Sequence, residues 1–179
     1  MTSREDEFTA FADAASSGLL GTAFLLCGDW HTAEDLAQTT LAKVFVSWHR
    51  IRRRDAAYSY ATKTLLNTYF ADRRLKQAGE VLTGQLPERP AVDKEPELRL
   101  LVLDALATLP PQARAVVVLR YWADMSVEQV ANLLRCSEGN VKSQSARGLD
   151  KLRPLLNQAA IESGLSSNPA KHQRETGNG

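Results

Sequence analysis

Apolar residues along this chain recur with the period of a helix. Phe8, Phe11, Ala12, Ala15 and Leu19 open a stripe that Leu20, Ala23, Phe24 and Cys27 continue. Gly28-Asp29 should end that helix, because glycine tolerates left-handed dihedrals just past a C-terminus. A second helix is predicted from near Thr32, capped by its hydroxyl, with Asp35 at the positive end of the helix dipole. Ala33, Leu36, Ala37, Leu41, Val44, Phe45 and Trp48 form its inward face. A third helix is predicted from about Ala56 to Gln77, after a basic stretch from Trp48 to Asp55. Tyr58, Ala61, Leu65, Thr68 and Tyr69 lie towards one side of it, while Lys63, Asn67, Phe70 and Arg74 share another.

The pattern lapses between Ala78 and Pro96, where two glycines, three prolines and several charges read as a flexible linker. It resumes with Leu98, Leu101, Val102, Ala105, Leu106 and Leu109, and stops at Pro110-Pro111. Pro111 can open the next helix, since a first-turn residue needs no amide donor. That helix carries Ala115, Val116, Leu119 and Tyr121. Ser126-Val-Glu-Gln129 then has the form of a capping box, and Val127, Val130, Ala131 and Leu134 face inward behind it. Arg135 to Gly139 is a compact break, followed by a helix to about Arg153 that buries Val141, Ser145, Leu149 and Leu152. Two short amphipathic helices around a tight turn form a helix-turn-helix, the unit that reads duplex DNA. The fold class is therefore all-α, with two small helical domains. Residues 1–77 form the first, 78–96 the linker and 97–156 the second, with a disordered tail at 157–179.

Composition sharpens this picture in a few places. The chain has 179 residues, enough for one ordinary domain or two small ones. Its net charge of +1 means that any nucleic-acid contact must come from local clusters of Lys and Arg. The polar, acidic start reads as no signal peptide, and no apolar run stands out as long enough to span a bilayer. Cytoplasmic residence without membrane insertion is expected, with Cys27 and Cys136 as free thiols. His31, His49 and His172 are scattered, and no triad, phosphate loop or paired-cysteine pattern appears. No enzyme activity, metal or cofactor is expected. Trp30, Trp48 and Trp122 read as core or interface anchors.

Two motifs in order carry a family resemblance. Ala33-Glu-Asp-Leu-Ala-Gln-Thr-Thr-Leu-Ala-Lys-Val-Phe45 resembles the helix by which sigma factors grip core RNA polymerase. Leu109 to Tyr121, Ser126 to Leu134 and Gly139 to Ser143 resemble sigma region 4. Together they cover about residues 5–155, and the chain is similar to the extracytoplasmic-function (ECF) sigma factors of the sigma-70 family. Tyr58-Ser-Tyr60 and Asn67-Thr-Tyr69 suggest the actinobacterial SigE-like subgroup.

The resemblance implies a sigma factor that binds core polymerase, recognises −35 and −10 promoter elements and starts transcription. Asp35, Gln38 and Ala42 would meet the β′ clamp helices, and the second domain the β flap. Arg52, Arg53, Arg54 and Asp55 would supply a loop against an extruded −10 base, with Tyr60 as an aromatic wall and Asn67 lining the pocket. Lys63, Arg73 and Arg74 would hold single-strand phosphates. Asn140, Lys142, Ser143, Gln144 and Arg147 would meet the −35 element, Arg147 being suited to a guanine edge and Lys142 to a phosphate. An anti-sigma factor is a further partner that the resemblance admits. Tyr60 stands where the family commonly has Trp, Gln144 where basic residues are usual and Ser145 where a bulky apolar one is. Gly148 inside the reading helix should cost about 1 kcal/mol relative to Ala. The alternative reading is a stand-alone helix-turn-helix regulator with a LuxR-like DNA-binding end.

Overall fold

The computed structural model describes residues 3–51, 53, 56–79 and 96–162. Arg52, Arg54, Asp55, the linker acids Glu80, Glu88, Asp93 and Glu95, and the tail from residue 163 lie outside the described residues. Among those described, every regular element is helical. They run α1 (Arg4–Cys27), α2 (Trp30–Ser47), a 3-10 turn (Trp48–Arg50), α3 (Ala57–Ala78), α4 (Pro96–Ala107), α5 (Pro111–Val117), a π-helical turn (Val118–Trp122), α6 (Val127–Leu134) and α7 (Glu138–Glu162).

The first three helices pack as a bundle. Ser3 starts α1 with a reciprocal cap: its hydroxyl accepts from the Asp6 amide at 3.1 Å, and its own amide donates to the Asp6 carboxylate at 2.9 Å. Gly28 closes α1 in the left-handed conformation, φ 74°, and its N–H reaches the Phe24 carbonyl at 2.8 Å. The cap of α2 is Asp29, not Thr32: the Asp29 carboxylate accepts from the Thr32 amide at 2.7 Å. A carboxylate at this position satisfies an orphan donor and also faces the positive helix end, so it displaces the hydroxyl as cap.

Leu19, Leu26, Val44, Trp48 and Leu65 fill the middle of the bundle. Phe8 and Phe11 lie against the Trp48 ring at 5.4 and 5.0 Å between centroids, and Phe45 flanks Phe8 at 4.9 Å. Phe45, expected inside, sits at the edge of this cluster and stays exposed. Thr22, Thr40, Thr62 and Thr68 are buried without cost to hydrogen bonding. Each hydroxyl donates to the carbonyl four residues back in its own helix.

By length and composition α1 is long and apolar enough to cross a membrane, which corrects the expectation that no apolar run was. Its Ala15, Leu19, Ala23 and Leu26 are instead buried in the bundle, the role of a core helix.

The second half is built on smaller contacts. The Ser126–Gln129 capping box forms as expected, with bonds of 3.1 and 2.8 Å. The turn after α6 is narrower than the sequence suggested. Arg135 takes the left-handed conformation at φ 54°, Ser137 caps the amide of Asn140 at 3.1 Å, and Gly139 already lies inside α7. That last helix is long, continuing through Pro154 to Glu162. Val141 and Leu152 are buried on its inner side, with Leu149 only half-buried.

Gly148 is buried there too. A Cβ added to it would stand 2.6 Å from Val117 Cγ2 and 3.7 Å from Leu109 Cδ1. The expected penalty for this glycine is thus set against close packing of α7 on α5, which any side chain would spoil.

The two halves touch. Their buried residues form one hydrophobic cluster, from Leu19 and Leu26 to Val116 and Leu119. The Trp122 ring lies on α1 at Gly21, where an added Cβ would come within 2.8 Å of the indole.

Candidate functional site

Three surfaces carry the candidate residues, and each is braced from behind. On α2, Asp35, Gln38 and Ala42 are all exposed, while Leu36, Ala37, Thr40 and Val44 are buried on the opposite side. Asp35 lies 3.7 Å from the His31 imidazole, an exposed pair one helical turn apart. Lys43 ties this helix to α3 by donating to the Thr68 hydroxyl at 2.9 Å. The face is thus tied to α3 at Lys43 and exposed at its side-chain tips.

On α3, Ala61, Leu65, Thr68 and Tyr69 are buried, which turns Asn67 and Arg74 to solvent. Lys63 and Arg73 are half-buried, and Tyr60 is exposed. Arg73 lies over the Tyr69 ring, 5.8 Å from its centroid. Asn67, Phe70, Arg73 and Arg74 come together on one wall of a cleft of about 360 Å³. Tyr60 and Lys63 lie on the same helix but do not line it. Of the expected loop, Arg53 is described and exposed.

On α7, Lys142 and Arg147 are exposed, and Asn140, Ser143 and Gln144 are half-buried. The Gln144 amide donates to the Asn140 side-chain oxygen at 3.0 Å, which presets both polar groups along one helix face. Lys142 sits 3.8 Å from Glu138, an exposed pair that yields readily to a phosphate. Ser145, on the inner side, buries a hydroxyl with no hydrogen-bond partner.

One functional group escaped the sequence reading. Arg114, half-buried in α5, donates to the Leu106, Ala107 and Leu109 carbonyls at the end of α4 at 2.9, 3.1 and 3.4 Å. It also reaches the Leu26 carbonyl at the end of α1 at 2.9 Å. A cation between two helix C-termini sits where their dipoles favour it. The signal was visible as the only charge in the apolar run from Pro111 to Leu119. Cys27, beside this junction, has its thiol pushed up to about 11 by burial. Among the described residues no cluster of His, Cys, Asp and Glu suited to a metal occurs.

Comparison with known proteins agrees with this layout. The family model for sigma-70 region 2 matches residues 13–78, and that for sigma-70 region 4 matches residues 99–152. An RNA polymerase sigma-E factor of Streptomyces coelicolor is 38% identical over 152 residues, 84% of this chain and 86% of the relative. The ECF RNA polymerase sigma factor SigE of Mycolicibacterium smegmatis is 31% identical over 81% of this chain and 60% of its own. Among solved structures, the sigma factor RpoE from Bartonella quintana, crystallised with the anti-sigma factor NepR, superposes with a TM-score of 0.71. That likeness covers 84% of this chain and 96% of the other at 22% identity, and so speaks for the fold. With region 2 on the bundle of α1 to α3 and region 4 on α4 to α7, this chain belongs to the sigma-70 family as an ECF RNA polymerase sigma factor, a transcription initiation factor.

Proposed function

We propose that the three exposed faces divide the work of promoter recognition in this sigma factor. The α2 face of Asp35, Gln38 and Ala42 docks on the β′ clamp helices of core polymerase, and region 4 meets the β flap. The α3 face takes the melted −10 strand. Asn67 offers amide groups to the edge of an extruded base, Phe70 an apolar wall, and Lys63, Arg73 and Arg74 charge for phosphates. Tyr60 adds a stacking surface, and Arg52, Arg53, Arg54 and Asp55 supply charged groups for the same base. The α7 face of Asn140, Lys142, Ser143, Gln144 and Arg147 enters the −35 major groove.

The observation that carries this reading is the joining of Asn67, Phe70, Arg73 and Arg74 in one wall of mixed polar and apolar character. The chain works by binding alone, with no chemical step of its own and no cofactor, in the cytoplasm where polymerase acts. An anti-sigma factor is a fitting partner, as NepR is for RpoE in the Bartonella quintana complex.

Transcription with purified core polymerase, followed by sequencing of start sites, tests the proposal. Promoter-specific transcripts are expected without any other specificity subunit. Asp35→Ala should weaken polymerase binding, Asn67→Ala should slow promoter melting, and Arg147→Ala should relax the −35 preference. Transcription unchanged by all three would sink the assignment of faces.

A further inference from the structure

The outer side of α7 carries one side-chain contact whose direction matters. Gln144 donates from Nε2 to Asn140 Oδ1 at 3.0 Å, one helical turn back. Val141, Ser145 and Gly148 are buried and set the roll of the helix. Asn140 and Gln144 are thereby half-buried on its flank, with the exposed Arg147 three residues further on. Both amides lie near the start of the second helix of the helix-turn-helix, where this motif meets base edges. That start is itself held, because the Ser137 hydroxyl accepts from the Asn140 backbone amide at 3.1 Å.

A side-chain amide has two protons and two lone pairs to place. The contact with Asn140 uses one Nε2 proton of Gln144. It leaves the other proton and Oε1, a donor and an acceptor side by side on one planar group. Adenine shows the complement in the major groove, an N7 acceptor beside the N6 amino donor. Guanine shows two acceptors there, so Oε1 would meet O6 with no proton between them. Thymine and cytosine each present a single polar group on that edge. An unrestrained glutamine could turn its amide over to suit other bases. One held by Asn140 has its orientation set before DNA arrives, and loses less side-chain freedom on binding.

We propose that Gln144 reads one adenine of the −35 element, and that Asn140 is the positioning residue that fixes its amide. The inference deepens the −35 role given to this face above and rests on it.

The full chain with core polymerase, offered a promoter library randomised through the −35 element, tests this by sequencing of the bound fraction. The parent should favour adenine at one position about tenfold over the other bases, the scale of one good two-bond contact. Gln144→Ala should flatten that position and leave the others. Gln144→Glu, which only accepts, should move it to cytosine, whose N4 amino group donates. Asn140→Leu keeps the size and drops the acceptor, and should cut the adenine preference roughly threefold, the scale of one modest interaction. Asn140→Asp keeps the acceptor and should retain the preference, while its charge lowers affinity for every sequence alike. A merely structural Asn140 would change binding without changing which base is chosen.

The absence of an adenine position that depends on Gln144, or an adenine preference equal in Asn140→Leu and the parent, overturns the inference. Lys142→Ala and Arg147→Ala separate it from its premise. If neither lowers retention of −35 sequences, the assignment of the face fails. If both do while Gln144→Ala leaves the selected bases unchanged, the adenine reading alone falls.

Discussion

Region 2 and region 4 solve the same problem with different materials. Both brace an exposed polar helix face from behind. Region 2 does so with large rings, Phe8, Phe11 and Trp48 wedged behind α2. Region 4 does so by close approach, α7 lying on α5 where Gly148 leaves room for Val117. Ring packing draws on buried area and tolerates small shifts, whereas close approach depends on nothing being added. Each region should therefore fail in its own direction, one by deletion and the other by addition.

The largest expected effect is deletion in region 2. Trp48 is 1% exposed, and Trp48→Ala should cost about 3–5 kcal/mol in chemical denaturation. Addition in region 4 comes next. Gly148→Ala should destabilise by about 1–3 kcal/mol, although helix propensity alone favours alanine. A more stable Gly148→Ala protein would erase the contrast between the regions.

A smaller effect sharpens the region 2 side. Hydrogen bonding from Thr32 holds the Asp29 carboxyl below its ordinary value, against a weaker opposing effect of burial. Asp29→Ala should cost about 1 kcal/mol at neutral pH. Because the folded value is the lower one, the cap contributes fully above the ordinary carboxylate range and is lost as pH falls through the folded value. The parent and variant should converge in melts at acid pH.

The smallest effect has the opposite sign. Ser145→Ala removes a buried hydroxyl without a partner and should stabilise region 4 by up to about 1 kcal/mol. Thermal melts of the purified protein would register it.

This contrast also explains what the sequence made legible. The stripes of α1, α2 and α3 could be traced because large apolar residues at helical spacing have one plausible use, and the capping box at Ser126 names its own helix end. Small residues carry no such mark. Gly148 looked like a flaw in a helix, and its value depends on Val117, thirty-one positions away. Asp29 lost out to Thr32 as the expected cap because both are good caps and spacing does not separate them. The candidate faces on α2, α3 and α7 followed from which side each helix buries. The Arg114 junction did not, since it joins the ends of helices that no local period relates.

The close seating of α7 also bears on how such a protein can change its target. Its position is fixed from the rear, by a missing side chain and the buried Val141 and Leu152. Residues at the front, Lys142 and Arg147 among them, take no part in that seating. The front can be rewritten one letter at a time without refolding the scaffold, and on the proposed −35 role of this face a new promoter preference needs no more than that.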